Sequence, residues 1–524
     1  MNLTLTPIRF KTRAESVYGS KVGIVDGDVR LTYREFAERA DRLSNALTGL
    51  GVARGDRVAW LGYNSHELLE AYYGVVQMGA VLLPLNIRLT PQEIAFILND
   101  SESVALFYNS DFLPIVEAIR GQTPTIKHFI PLEAGEAGSY ETLLQAAGAD
   151  FTPPTDIKDD DLAELFYTSG TTANPKGVMM THRNLYLHAM QAIAGLLVDD
   201  TVVQLHTIPL FHVNGWGTPH TLTCTGARHV IMKKFDPKQV LDLVESERVT
   251  HFAMVPTMAM ALINHPGLSE YDLTSLKFVS IGGAASPVDL IREIEQKLGC
   301  RAYSGYGLTE TTPVLTQSFI KDHLKDLPDN ERWARQAMTG YPLPGIEVSI
   351  VDADDNHLPH DGVSVGEIVA RADNVMHGYW KQPEDTARVC RGGWFHTGDM
   401  AVIDEEGYFL IVDRKKDIII SGGENIASIE IEKAIFSHPS VLECAVVAVP
   451  DDRWGEVPKA LVVLKPDQEL SDQELIAHCR TKLPGFKVPK SVEFFDSLPK
   501  GGTGKILKKE LRERYWEGHT KRVH

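Results

Sequence analysis

The sequence predicts an α/β protein: a large N-terminal domain built on doubly wound sheets, a small β element, and a smaller α+β C-terminal domain. Three observations carry this. Capped helical patterns alternate with short apolar runs through most of the chain, the arrangement of a parallel sheet covered on both faces. From about Pro342 the texture changes to short β segments, which fits a small barrel or an antiparallel layer. After the charged connector Asp413-Arg414-Lys415-Lys416-Asp417 a self-contained pattern of helices and strands begins, so the boundary is drawn between 1–413 and 414–524. At 524 residues and 43% hydrophobic content there is ample apolar material for more than one core.

Taken in order, Thr32-Tyr33-Arg34-Glu35 has the capping-box form, and Phe36, Ala40, Leu43 and Leu47 follow at helical spacing until Gly51. Arg57 to Leu61 reads as a strand, Glu67 to Met78 as a helix and Ala80 to Leu85 as the next strand. Thr90-Pro91-Gln92-Glu93 repeats the box with proline at the first helical position. Further on, strand signals at Val202 to Ile208 and His251 to Val255 flank a helical stretch from Pro237 to Val249. Leu276 to Ile281 is an apolar run ending in Gly282-Gly283-Ala284-Ala285, followed by a helix to Leu298, a strand at Arg301 to Tyr303 and the turn SGYGLTE. Glycine turns at strand ends lie where doubly wound sheets bind ligands. Short β segments are expected at Gly345 to Asp352, Gly366 to Ala370, Met400 to Ile403 and Tyr408 to Val412. The C-terminal part reads as helix (Ser428 to Phe436), two strands (Val441 to Val449, Ala460 to Leu464), helix (Ser471 to Leu483) and a Lys/Arg-rich tail.

A net charge of −18 argues against general nucleic-acid or anionic-membrane binding, which needs clustered cations, but leaves room for local capture of a polyanion. The five scattered cysteines show no metal-ligand spacing and read as reduced thiols of a cytoplasmic protein. The N-terminus lacks a long apolar h-region, and no apolar run reaches the roughly 18 residues of a transmembrane helix.

Five stretches carry candidate chemistry. In YTSGTTANPKG, Tyr167 to Gly177, the amides freed by Gly170 and Gly177, the hydroxyls of Thr168, Ser169, Thr171 and Thr172, and the Lys176 ammonium compose a phosphate cradle. It is not the common P-loop, because seven positions separate the glycines and the lysine precedes the second. In the stretch Tyr306 to Thr312, Gly305 and Gly307 let backbone approach a flat ring or a phosphate, with Thr309 as donor and Glu310 as a Mg²⁺ ligand. Thr397-Gly398-Asp399 puts a carboxylate after a glycine turn, suited to a ribose diol. Lys505, in Pro499 to Lys505, tips a flexible glycine turn. Phe211 to Gly217 couples His212 with Trp216 set between glycines. Each alone also fits a structural part: a polar loop, a turn, an Asx-turn, a solvated basic tail, a core tryptophan.

Their joint order resembles the adenylate-forming superfamily of acyl-CoA synthetases, luciferases and peptide-synthetase adenylation domains. The motifs are YTSGTTANPKG, FHVNGWG, GGAAS, SGYGLTE, TGD, DRKKD with SGGEN, and PKGGTGK, and the resemblance, which includes LTYREFAERADRLSNAL near the start, covers essentially the whole chain. SGGENI, DDRWGEVPKA and FHVNGWG look most like fatty-acyl-CoA synthetases. One departure is Ala173, where many members have glycine.

The resemblance implies two doubly wound sheets plus a small β-barrel in the N-terminal domain, and a mobile C-terminal domain carrying a catalytic lysine, Lys505. It implies ATP, Mg²⁺ and coenzyme A, with Thr168, Ser169, Gly170, Thr171, Thr172 and Lys176 on the β- and γ-phosphates. Gly283 and Ala284 would sandwich the adenine against Ser304, Gly305, Tyr306 and Gly307. Thr309 would touch the α-phosphate, Glu310 with Thr168 would hold Mg²⁺, and Asp399 and Arg414 would take the ribose. Lys416 is the expected hinge. Gly422, Gly423 and Trp454 resemble the surface that receives CoA, with Phe486 and Lys487 as further candidates for it, while His212, Val213, Trp216 and Gly283 would border the acyl pocket. The expected function is ligation of a carboxylic acid, a medium- or long-chain fatty acid first, to CoA through an acyl-adenylate. The alternatives are an aryl or short functionalised acid, an amine or carrier-protein acceptor, or a non-catalytic nucleotide-binding protein. Oligomeric state is unreadable from the residues, and relatives suggest a homodimer.

Overall fold

The computed structural model describes residues 3–133, 135, 138–168, 175–422, 424–451, 453–500 and 506–516. The chain forms two compact units, Met1–Val348 with Ala370–Phe395, and Ser349–Val369 with His396–His524.

The first unit holds two large sheets. The seven-stranded one runs Gly378–Tyr379, Lys176–Thr181, Leu162–Thr168, Val81–Pro84, Arg57–Leu61, Ser103–Tyr108, His128–Pro131. Its members from Leu162–Thr168 onward are parallel neighbours, whereas Leu162–Thr168 and Lys176–Thr181 form an antiparallel hairpin. The nine-stranded sheet runs Tyr341–Pro342, Val314–Gln317, Arg301–Gly307, Phe278–Ile281, His251–Met254, Val203–His206, Arg228–Ile231, Val22–Asp26, Val29–Thr32, with a parallel centre and antiparallel edges. Both capping boxes form: Thr32 starts the helix Tyr33–Gly49 and Thr90 starts Pro91–Asp100, each side chain accepting from the N3 amide while Glu35 or Glu93 reaches back. Phe36, Ala40, Leu43 and Leu47 are buried on one stripe of the first helix.

A five-stranded sheet follows, Glu347–Val351, Gly366–Arg371, Trp394–Ile403 and Cys390–Arg391 in order, with Phe409–Arg414 paired to Trp394–Ile403. The second unit also holds a sheet ordered Glu424–Ile426, Ile419–Ser421, Gly455–Leu464, Val441–Asp451, with Ser491–Phe494 parallel to Gly455–Leu464.

Three local expectations are corrected. SGYG is strand rather than turn: Arg301–Gly307 is continuous, because bare Gly307 lets its backbone lie against the Pro313 carbonyl where a Cβ would overlap it. Thr397-Gly398-Asp399 sits inside the ten-residue strand Trp394–Ile403, with Gly398 at φ +75° kinking it, rather than after a turn. The basic tail is in part a helix, Lys508–Trp516, whose Leu511, Arg512 and Trp516 are buried. The charges that suggest a solvated tail are paired instead: Lys508 with Glu432 at 2.7 Å and Arg512 with Asp417 at 2.6 Å. Among the described residues, no helix is long and apolar enough to cross a membrane.

Candidate active site

The hairpin Leu162–Thr168/Lys176–Thr181 sets the first corner of the site, with Thr168 paired to Lys176 across the ladder. Ser169, Gly170, Thr171, Thr172 and Ala173, which connect its strands, lie outside the described residues, as do Gly423 and Lys505. Lys176 is buried, its ammonium bonded to the Asp385 carboxylate and 5.2 Å from the centre of the Tyr379 ring. The Tyr379 hydroxyl donates to Glu310 Oε1 at 2.9 Å. One tyrosine therefore carries the lysine on its face and the glutamate on its oxygen. Burial and the neighbouring Glu310 charge hold that phenol protonated, well above its ordinary range. Asp385, bonded to Lys176 and Arg388, is held below the usual carboxylate range. Tyr379 and Asp385 escape a motif reading because they lie about two hundred positions from Lys176. The Gln382-Pro383-Glu384 helix start was the available signal.

Thr309 and Glu310 sit on a single 3-10 turn, Thr309–Thr311, and Met376 N–H donates to the Glu310 carbonyl at 2.8 Å. Asn374 Nδ2 bonds the Thr311 carbonyl at 2.6 Å and Thr312 Oγ1 bonds the Asn374 carbonyl at 2.7 Å, so the turn is tied to the 374–379 segment at both ends. Glu310 offers a hard carboxylate oxygen, which fits Mg²⁺, an ion that takes one or two carboxylates and completes its shell with phosphate and water. A different cluster, Asp26, His66 and Glu67, brings ligand atoms within 4.8 Å of one another. Burial opposes charge on His66, but the hydrogen bond to Asp26 and the charges of Glu67, Glu70 and Asp26 outweigh it and raise its pKa to about 9. Its Nδ1 lies 2.9 Å from Asp26 Oδ2, a hydrogen bond within the cluster.

Gly283 and Ala284 are exposed at the end of Phe278–Ile281, beside Ser304, which pairs with Ile281 across parallel strands. The Ser304 hydroxyl is buried and has no partner among the described residues. Gly305 and Tyr306 are half-buried on the same strand.

Phe211 to Gly217 has a feature that its sequence does not announce. Val213, Asn214, Gly215, Trp216 and Gly217 all have positive φ, from +42° to +82°, making a left-handed turn. Left-handed backbone costs roughly 1–2 kcal/mol per L-residue, so three non-glycine residues there need strong bracing. The bracing is visible. Thr218 Oγ1 donates to the Gly215 carbonyl at 2.8 Å, and Gly217 N–H to the Asn214 carbonyl at 3.0 Å. Since Thr218 spends its proton on Gly215, it accepts from His206 Nδ1 at 3.3 Å. His206 Nε2 in turn accepts from His229 Nδ1 at 3.0 Å, whose Nε2 meets Thr223 Oγ1 at 3.2 Å. Burial keeps His206 neutral, its pKa lowered to about 4. A Cβ on Gly217 would overlap the His188 ring, so that ring packs on bare backbone. His188 accepts from Val314 N–H at 3.2 Å, and burial together with His220 lowers its pKa to about 3. Val213 is buried in the core, and half-buried Trp216 lays its indole on Gly282, where a Cβ would come within 2.8 Å of Cη2. His212 leads into the turn, its N–H bonded to the Pro209 carbonyl at 3.0 Å.

In the second unit Asp399 and Arg414 are ladder partners, Nε to Oδ1 3.3 Å, with Asp399 buried and Arg414 exposed. Lys415 bonds Glu367 at 2.9 Å, and Arg512 Nη1 donates to the carbonyl of the exposed Lys416 at 3.1 Å. Gly422 has φ +61° and lies under Trp454, where a Cβ would come within 2.6 Å of the indole. Its N–H donates to the Trp454 carbonyl at 2.8 Å. Trp454 is 43% exposed with Arg453 over its ring at 4.7 Å, and Phe486 is exposed beside Lys487, which pairs with Glu430 at 2.6 Å.

The sequence profile of the AMP-binding enzymes matches residues 10–380, and that of the AMP-binding enzyme C-terminal domain matches residues 430–505. The chain is 39% identical over 515 residues to a long-chain-fatty-acid–CoA ligase of Thermus thermophilus, covering 97% of this chain and 95% of that one. It is 40% identical over 493 residues to a feruloyl-CoA synthase of an Amycolatopsis species, covering 93% and 95%. The crystal structure of an anthranilate CoA ligase in complex with anthranoyl-AMP superposes with a TM-score of 0.89 at 27% identity, covering 98% of both chains. The protein therefore belongs to the AMP-binding enzymes, in the acyl-CoA ligase branch of the adenylate-forming superfamily.

Proposed function

We propose that this ligase activates a carboxylic acid with ATP to an acyl-adenylate and pyrophosphate, then passes the acyl group to the CoA thiol with release of AMP. The observation that carries the reading is the Lys176–Tyr379–Glu310 arrangement: a cation 5.2 Å from the ring centre and a hard anion 2.9 Å from the hydroxyl of one tyrosine.

The roles follow from charge. A carboxylate is a poor acyl donor because its leaving group would be oxide; its attack on the α-phosphorus converts that oxygen into part of AMP. Two anions must approach, so positive charge has to be in place beforehand. Lys176 takes the leaving phosphates together with Thr168, Ser169, Gly170, Thr171 and Thr172, and Lys505 bridges carboxylate and α-phosphate. Glu310 with Thr168 would hold Mg²⁺, which would supply charge neutralisation on the phosphates. Thr309 donates to the α-phosphate, and Asp399 and Arg414 accept and donate at the ribose diol. Gly283, Ala284 and Ser304 to Gly307 hold the adenine, where the Ser304 hydroxyl, which has no partner among the described residues, is a ready donor or acceptor. Lys505 then has to withdraw before the thiol arrives, so we place a hinge at Lys416, a mobile domain at 414–524, and the CoA surface at Gly422, Gly423 and Trp454.

For the acid, a medium- or long-chain fatty acid is the first reading, supported by the likeness to the Thermus ligase. The backbone beneath Trp216 is braced throughout, so an indole that admits a chain turns about its side-chain bonds rather than on a glycine hinge. The flat indole laid on Gly282 favours an aryl acid as the second reading, with His212, Val213 and Gly283 around it. Incubation of the purified protein with ATP, Mg²⁺, CoA and a panel of aliphatic and aryl acids, with AMP and thioester quantified, tests this. AMP without thioester would point to an amine or carrier-protein acceptor, and neither product across the panel would refute the proposal.

A further inference from the structure

Glu164 is a carboxylate in the middle of an apolar strand, Leu162–Thr168, and is completely buried. Such a group persists only when its acceptor oxygens are occupied. Both are: Oε1 takes His220 Nε2 at 2.6 Å and Oε2 takes Asn214 Nδ2 at 2.9 Å. Asn214 and His220 are equally buried, and His220 stands edge-on to the rings of Tyr72 and Tyr73 with centroids 5.7 and 5.6 Å away. Three elements meet on this one carboxylate: the strand that reaches Thr168 at the phosphate hairpin, the left-handed turn that carries Trp216, and the helix Thr218–Thr225 that follows it.

Asn214 is suited to its place twice over. Asparagine tolerates left-handed backbone better than most residues, and its amide here makes the turn's side-chain link to the sheet. Its Oδ1 has no partner among the described residues, so Glu164 is where that side chain is anchored. Trp216 lies two residues further along the same turn, and its indole packs on Gly282.

We propose that Glu164 is a positioning residue that sets where Trp216 stands, and through it which acids the enzyme accepts. The inference rests on the proposed acid activation. It also makes Leu162–Thr168 a shared support, carrying phosphate-side residues at its end and the acid-side wall from its centre.

Asn214→Gly removes the amide while keeping left-handed freedom, so it separates the hydrogen bond from backbone strain. Glu164→Leu removes both acceptors. Glu164→Gln is the rescue, because its carbonyl can accept from His220 while its amide donates to Asn214 Oδ1 after that side chain flips. In Asn214→Gly we expect the KM for the acid to rise at least fivefold, with the KM for ATP within twofold. The ratio of kcat/KM between the longest and shortest acids accepted should shift at least fivefold, and in Glu164→Gln it should return to within twofold of wild type. A merely structural role would lower the active fraction for every acid alike and leave that ratio unmoved. Acrylamide quenching of Trp216, taken as the difference between each protein and its Trp216→Phe counterpart, should at least double in Asn214→Gly and Glu164→Leu. Wild-type quenching in folded Asn214→Gly, or an unchanged acid ratio there, overturns the proposal. If the wild-type protein activates no acid, the proposed activity falls, and the quenching comparison alone decides whether Glu164 holds the indole.

Discussion

Replacing Asp385 with asparagine removes the carboxylate that neutralises Lys176 and leaves the shape of the side chain intact. The pair is neither at the surface nor fully buried: the side chain of Lys176 is 7% exposed and that of Asp385 28%. Exposed pairs contribute up to about 1 kcal/mol, whereas removing one partner of a buried pair costs about 3–5 kcal/mol. A value of about 1–2 kcal/mol is therefore the reasonable reading for this site, since water reaches Asp385 but hardly the ammonium. If Lys176 exchanges Asp385 for the phosphates of ATP, the loss appears in the free enzyme and is refunded on binding. Asp385→Asn should then be less stable by about 1–2 kcal/mol in urea denaturation and should bind ATP about 5- to 30-fold more tightly. Equilibrium binding of ATP with Mg²⁺ measures this directly, without turnover. Weaker or unchanged ATP binding in a folded variant would refute the exchange and leave Asp385 as a fixed prop for Lys176.

Other substitutions and conditions probe the same architecture. Gly217→Ala drives a Cβ into His188 at φ +82°, so left-handed strain and overpacking together should lower stability by about 2–5 kcal/mol in chemical denaturation. His188 and His206, with folded pKa values of about 3 and 4 against 6.5 in the unfolded chain, stabilise the neutral form. Their contribution is complete above pH 6.5 and is lost as the pH falls toward 4 for His206 and toward 3 for His188, by about 2 kcal/mol for each at pH 5. A denaturation series from pH 7 to 5 reads the slope, and pH-independent stability there would contradict their buried neutral state. Lys505→Ala should slow adenylation by about 100-fold or more, as loss of one preorganised donor does, while thioester formation from supplied acyl-adenylate stays largely intact. Equal loss in both half-reactions would remove the case for a domain that withdraws Lys505.

Much of the fold is legible in the residues because it is written locally. The boxes at Thr32 and Thr90 satisfy their own helix ends with side chains three positions apart, so no tertiary knowledge is needed to see them. SGYG misleads because two glycines signal a turn, whereas here they admit a neighbouring strand against bare backbone. The basic C-terminal stretch misleads because its partners, Glu432 and Asp417, lie tens of positions upstream, and the half-buried Lys508 and buried Arg512 depend on them. The site shows the same division. Motifs nominate Lys176, Glu310 and Trp216 by composition, but what fixes them comes from elsewhere in the chain. Tyr379 joins Lys176 to Glu310, Asp385 pairs with the lysine, and Glu164 reaches the turn of Trp216 through Asn214. A lone carboxylate in Leu162-Ala163-Glu164-Leu165-Phe166 was a readable sign that a partner had to exist, but not which one.

The most direct test follows one oxygen atom. In the proposed reaction the carboxylate oxygen that attacks the α-phosphorus stays with it when the thiol later breaks the acyl–oxygen bond. With an accepted acid labelled by ¹⁸O in its carboxylate, mass spectrometry should find one labelled oxygen in the AMP and none in the pyrophosphate. Label appearing in inorganic phosphate or pyrophosphate, or AMP released without label while thioester forms, would contradict an acyl-adenylate intermediate.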